Sequence, residues 1–195
     1  MNLVSRAKNI IMTPKTEWPV IAGEEPNIGQ IIKGYVVPLA LIPAVASIIG
    51  WGVIGSGVTS FSLGLARGLV QLGVAIISVY VIAYVVDFLA PNFGSQKSLG
   101  RAVQLVAYSS TPGWVAGILN IIPVLSLLVT LASLYGLYVM YLGLPHTMKT
   151  PQDKVVVYLV VVIVVVVVTY LIIGAILGAI FFGLLGVSAL GAMGG

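Results

Sequence analysis

An all-α, polytopic transmembrane helix bundle is the fold that this sequence predicts, on three observations. Of the 195 residues, 59% are hydrophobic and only 7% are charged, whereas a soluble domain carries about 25% charged residues. The apolar residues fall into five runs, about 31–54, 67–90, 102–122, 124–144 and 155–187, each at or above the roughly 20 residues that a helix needs to cross the hydrocarbon core. Nearly every charge falls at the ends of these runs or between them. The first half of the last run is dominated by valine, which favours strands in water, but a single segment in lipid must satisfy its own backbone and is therefore helical.

Five spans and their turns exhaust the length, so one membrane domain, 31–195, follows a cytoplasmic amphipathic segment and connector, 1–30. The net charge of +4 comes from basic residues scattered between spans, not from a stripe interleaved with aromatics, and no nucleic-acid partner is expected. The chain has no cysteine, which excludes disulfides and thiolate metal sites. His146 is the only histidine; it reads as interfacial, and a multi-histidine metal site within one chain is excluded. No metal or cofactor is expected. No cleaved signal peptide is read either, because Pro14, Lys15 and Glu17 precede any apolar run of sufficient length.

Leu3, Val4, Ala7, Ile10 and Ile11 share one helical face, with Arg6 and Lys8 off it. This is the pattern of a short helix lying on a membrane surface or packing at the end of the bundle. Pro14 and Pro19 are expected to end helical periodicity, and residues 16–30, with Glu17, Glu24 and Glu25, to form a solvated connector. In the first span Pro38 and Pro43 each free a backbone carbonyl and bend the helix. Gly50 to Gly55 has the glycine spacing of a dinucleotide fingerprint, but no strand precedes it and no acidic residue follows about 20 positions on. It reads as the start of an uncharged turn running to Ser62.

The second span opens with Gly64 and Gly68, a spacing that allows close helix approach, and ends with Tyr80, Tyr84 and Asp87 on one face. An ionisable residue at this depth is a functional candidate by default, although a carboxylate within a turn of the helix end also fits contact with headgroup water. The polar loop 91–100 leads to Arg101 and the third span, where Gln104, Tyr108 and Thr111 share a face. A kink or break is expected at Pro112-Gly113, with Ser109, Ser110 and Thr111 satisfying the freed backbone groups. Asn120 to Pro123 is an uncharged turn into the fourth span, which carries Tyr135, Tyr138 and Tyr141 towards its far end. As one helix the uncharged run Val155 to Val187 would extend about 50 Å, so it must tilt, break or protrude from a core of about 30 Å.

Five spans place the N-terminus and the loops after the second and fourth spans on one side. That side holds Arg6, Lys8, Lys15, Lys33, Lys97, Arg101, Lys149 and Lys154, eight of the nine basic residues. By the positive-inside rule it is cytoplasmic, and the C-terminus lies outside. Every tyrosine except Tyr170 falls towards the cytoplasmic end of its span, whereas aromatic belts normally occupy both interfaces. The asymmetry predicts a polar cleft open to the cytoplasm, formed from Tyr80, Tyr84, Asp87, Gln104, Tyr108, Thr111, Pro112, Tyr135, Tyr138 and Tyr141. A cytoplasmic belt with buried packing tyrosines is the competing arrangement. Lys33, Lys97, Arg101, Lys149 and Lys154 lie where anionic headgroups are and are candidate lipid contacts.

Several segments, in this order, resemble the Yip family, the Ypt-interacting proteins of Golgi and endoplasmic reticulum membranes and their bacterial and archaeal relatives. They are Lys8-Asn9-Ile10-Ile11, Pro14-Lys15-Thr16-Glu17-Trp18, Tyr35-Val36-Val37-Pro38-Leu39, Ala107-Tyr108-Ser109-Ser110-Thr111-Pro112 and Leu134-Tyr135-Gly136-Leu137-Tyr138 on to Pro145. The resemblance implies a non-enzymatic five-span membrane protein; eukaryotic members associate with Rab-type GTPases and act in trafficking and membrane shaping. The short stretch before the first span departs from their long cytoplasmic N-terminal region, which points to the prokaryotic branch and its cytoplasmic membrane. With no acidic pair within a span and no Ser-His-Asp arrangement, the residues give no basis for catalysis. A membrane scaffold or interaction protein is the leading expectation, with lipids, a second copy or another membrane protein as partners. The alternative is a small-solute or ion transporter or channel that uses the tyrosine-lined cleft and Asp87.

Overall fold

The computed structural model describes residues 2–50 and 61–172. The expected turn through 51–60, the second half of the fifth run and the C-terminal tail lie outside them. Among the described residues every regular element is a helix. Four helices are long and apolar enough to cross a membrane: α3 (Ile28–Ile49), α4 (Phe61–Leu89, continuing as a 3-10 turn to Phe93), α7 (Ser126–Thr147) and α8 (Gln152–Ile172). Two short helices precede them, α1 (Leu3–Met12) and α2 (Pro14–Gly23). Between α4 and α7 lie α5 (Leu99–Ser109), α6 (Thr111–Ala116) and a 3-10 segment, Gly117–Ile121.

Residues 16–30 are not a solvated connector, as the charge pattern had suggested: α1 does end before Pro14, as expected, but a second helix starts there and runs on through Pro19. Pro14 opens α2 at a position where a missing N–H costs nothing. Pro19 lies inside the helix, and the bond it forfeits is to the carbonyl of Lys15, which like Pro19 is exposed and can be solvated. Trp18 and Ile21 on the opposite face are fully buried. The Trp18 indole donates to the Val139 carbonyl at 2.9 Å and lies against Gly143, where a β-carbon would fall 2.6 Å from the ring.

Proline chemistry also shapes α3 and the expected third span. Pro38 has no N–H for the carbonyl of Gly34 and its ring would crowd that group. The preceding turn widens into a π-helical stretch, Ile32–Val36, in which the N–H of Val37 bonds back to Ile32. The run over 102–122 is likewise not one continuous helix: it breaks at Ser110, beside Pro112, and finishes as tight 3-10 turns. This broken segment lies alongside α3. Gly100 packs on Pro26 at one end, and at the other a β-carbon on Gly50 would lie 2.2 Å from the Asn120 carbonyl.

The loops 94–98 and 148–151 are joined at the Gly100 end. Gln96 N–H donates to the Met148 carbonyl at 2.7 Å and Ser95 Oγ to Thr150 Oγ1 at 2.9 Å. Gly94 and Lys149 turn the two loops in the left-handed region, with φ of 68° and 54°. The packing of α2 on α7 predicts that Gly143→Val, measured by thermal unfolding in detergent, destabilises by about 1–3 kcal/mol through overpacking against Trp18. Gly73→Ala, with open space around it, should be neutral or stabilising by up to about 1 kcal/mol.

Candidate functional site

The site begins with a charge that α1 carries inward. Arg6 is 4% exposed, contrary to the expectation that it lies off the packed face. Its guanidinium donates to Glu17 Oε1 at 2.7 Å and also to Glu24 Oε1, and it sits 5.5 Å above the centre of the Tyr108 ring. Asn9 Nδ2 donates to the second oxygen of Glu17 at 3.0 Å. A buried guanidinium is tolerated only when its donors are matched, and here two carboxylates and an aromatic face meet it. Arg101, on α5, donates from Nη1 to the Glu24 carbonyl at 2.7 Å and to Gln104 Oε1 at 3.0 Å. The network therefore joins α1, α2 and α5.

Beneath it lies the break between α5 and α6. Pro112 has no N–H to offer the carbonyl of Tyr108, four residues earlier. Thr111 Oγ1 donates to that carbonyl at 2.7 Å. With its one proton committed, Thr111 Oγ1 accepts from Tyr35 Oη, also at 2.7 Å. This relay ties the π-helical stretch of α3 to the break. The Tyr35 and Tyr108 rings meet edge to face at 4.6 Å, and Trp18 approaches Tyr108 at 6.4 Å. Above the aromatic cluster is a polar cavity of about 260 Å³, lined by Arg6, Glu24, Glu25, Gln30, Gln104 and Tyr108 among others.

The ten expected cleft residues occupy three places, and the polar cavity collects two of them, Gln104 and Tyr108; Thr111 and Pro112 are buried beside those two. On α7, Tyr135 donates to the Ile11 carbonyl at 2.9 Å, Tyr138 is exposed and Tyr141 is half-buried. On α4, Tyr80 is half-buried and Tyr84 exposed, while Asp87 is 8% exposed and its Oδ1 has no hydrogen-bond partner. Of the five candidate lipid contacts Lys33, Lys97, Lys149 and Lys154 are exposed, and Arg101 is turned into the network. Sequence reasoning missed Arg6, Glu17, Glu24 and Tyr35 as site residues. The available signal was the crowding of three of the five acids within two dozen residues of Arg6.

The family model of the Yip1 domain matches residues 8–176. The chain belongs to the Yip family. Inner membrane protein YohC of Escherichia coli K12, and the protein of the same name in a second Escherichia coli strain, are each 25% identical to it over 153 residues, covering 73% of this chain and 78% of theirs. No solved structure matches at a significant level. With inner-membrane relatives and four helices of membrane-crossing length, this Yip-family chain is an integral, multi-pass protein of a prokaryotic cytoplasmic membrane. The family match takes in α2 and the α5–α6 break, which carry Glu17, Arg101, Gln104 and Tyr108 of the polar network, whereas Arg6 on α1 precedes the matched residues.

Removing one partner of a buried ion pair costs about 3–5 kcal/mol, whereas an apolar replacement of both is often neutral. Arg6→Met is therefore expected to destabilise the protein by about that amount in thermal unfolding, and Arg6→Met with Glu17→Leu to recover most of the loss.

Proposed function

We propose that this Yip-family protein is a non-enzymatic membrane organiser that holds anionic lipid and neighbouring membrane helices at its cytoplasmic end. The reading takes the chain as five spans, the broken 99–121 segment being the third, with the N-terminus inside and the C-terminus outside. The observation that carries it is the docked pair α1–α2. Arg6 anchors the pair inward, while Val4, Lys8, Met12, Lys15 and Val20 face outward and exposed. An outward face of apolar residues flanked by lysines, fixed at the end of a bundle, suits the boundary between acyl chains and anionic headgroups. Lys33, Lys97, Lys149 and Lys154 add exposed positive charge nearby, each contributing about 1 kcal/mol of attraction near an anionic surface. Exposed apolar faces on α4 (Leu69, Ile77, Phe88) and α7 (Leu127, Leu131, Leu134) fit lipid, a second copy or a partner helix.

Native mass spectrometry of protein released from phosphatidylcholine vesicles with and without phosphatidylglycerol tests this reading. Wild type is expected to retain phosphatidylglycerol, and the combined Lys33→Gln, Lys97→Gln, Lys149→Gln, Lys154→Gln variant to retain at least about 10-fold less. Equal retention by both would refute the headgroup role.

A transport role draws support from one observation, the buried and unpartnered Oδ1 of Asp87, since carboxylates at membrane depth mark ion pathways. As an organiser, the protein should give proteoliposomes no ion flux above protein-free vesicles. A flux that Asp87→Asn abolishes would replace the organiser reading.

A further inference from the structure

The polar cavity beside Arg6, about 260 Å³ in volume, lies below the range of drug-sized sites and suits a small group. Its wall holds one cation, Arg6, and two carboxylates, Glu24 and Glu25. Arg6 donates to Glu17 and Glu24, so its charge is matched within the protein, and an entering anion would have to displace a carboxylate. Acceptors, by contrast, are left over. Only one oxygen of Glu24 engages Arg6, and Glu25 is exposed, with no ion pair or hydrogen bond among the described residues. Arg6 and Arg101 set against Glu17, Glu24 and Glu25 leave the cluster one net negative charge. The cavity therefore favours a cation.

Donors narrow the class further. Tyr108 is 7% exposed, and its Oη forms no hydrogen bond among the described residues. It is not sealed off, unlike the two enclosed and unpartnered atoms, Asp87 Oδ1 and Ser109 Oγ. The surface that Tyr108 retains belongs to the polar cavity. An inner cavity of about 440 Å³, between α3, α4, α7 and α8, is lined instead by Val106, Ser109 and Ser110, with Ser110 Oγ donating to the Val106 carbonyl at 2.8 Å, and no charged side chain borders it. Gln104, 2% exposed, is a second donor in the polar cavity. Its Oε1 accepts from Arg101 and its Nε2 reaches the Glu24 carbonyl at 3.5 Å, which leaves one of the two amide N–H groups unused. Leu3 and Ile31 add apolar wall for a short carbon link. A bare divalent cation would leave the Tyr108 and Gln104 donors unmet; an ammonium with an oxygen close by meets both carboxylates and donors.

We infer that the polar cavity binds an amino alcohol, free or as the ethanolamine headgroup of a phospholipid, with its ammonium on Glu24 and Glu25 and its oxygen accepting from Tyr108 Oη. The lipid source rests on the proposed place of α1–α2 at the headgroup boundary; the free source does not. Two measurements on the full chain test it: equilibrium dialysis of radiolabelled ethanolamine against protein in detergent, and native mass spectrometry after release from vesicles of equal phosphatidylethanolamine and phosphatidylcholine. Saturable binding of the ethanolamine group, one per chain and in preference to choline, is expected in at least one of them, because a trimethylated ammonium has no N–H for the carboxylates. Binding in dialysis alone assigns a free amino alcohol, and retention from vesicles assigns the lipid. Glu25→Gln should lower binding roughly five-fold and Tyr108→Phe roughly three-fold. Tyr108→Phe should leave thermal unfolding unchanged, since the hydroxyl has no partner within the protein; a loss of stability would mark it as structural and remove it from the site. The four-lysine variant should keep the ethanolamine preference, and Glu25→Gln should keep phosphatidylglycerol, so that failure here is distinct from failure of the headgroup role. Equal binding of ethanolamine and choline groups, no saturable binding in either measurement, or binding unchanged by both substitutions would overturn the inference.

Discussion

Burial of one guanidinium is the constraint on which this end of the molecule depends. An arginine at 4% exposure cannot stay charged in a low-dielectric site unless its donors are met. Glu17 and Glu24 meet them, both from the stretch that follows α1, and the Tyr108 ring covers the guanidinium. To bring Glu17 inward, residues 14–23 must be helical and packed, which also turns Trp18 and Ile21 into the core. Trp18 in turn requires a bare backbone at Gly143 and uses the Val139 carbonyl as its acceptor. Much of the position of α2 against α5 and α7 thus follows from the charge on α1.

A second constraint is the handling of prolines in a medium without free water. A proline inside a helix leaves a carbonyl four residues back without its usual donor, and at Pro38 and Pro112 the structure meets this in different ways. At Pro38 the helix widens into a π-turn; at Pro112 the Thr111 hydroxyl supplies the missing donor and then accepts from Tyr35. The two repairs touch, so the irregular part of α3 and the break between α5 and α6 form one unit. The polar cavity lies on one side of that unit, with Gln104 and Tyr108 in its wall. The inner cavity lies on the other, with Val106 and Ser109 in its wall. One short helix thus presents one face to a polar cavity and the other to an apolar one.

Much of this was legible in the sequence. Composition and run length identify a helical membrane protein, and the bounds of α7 and the start of α8 follow the apolar runs closely. The break near Pro112 and the use of nearby hydroxyls to repair it were also readable, because proline acts through its immediate neighbours. The N-terminal pair was not. Periodicity treats Arg6 as a surface residue, and only the contact with acids 11 and 18 positions away reverses that. The tyrosines share a side of the membrane by sequence, yet Tyr80, Tyr108 and Tyr135 are on different helices whose rotation about their axes is set by packing. Ser109 could not be told from Ser110, since the difference between them is a bond to the preceding turn that one makes and the other does not.

The central claim is that α1–α2 is a fixed part of the bundle, anchored through Arg6. Because the chain has no native cysteine, paired labels report on this without background. The measurement is the spin-label distance distribution between Thr16→Cys on α2 and Gln96→Cys in the loop beyond α4, in nanodiscs. A single narrow distance is predicted. A broad distribution, reporting an N-terminal pair that samples positions away from α5 and α7, would contradict it.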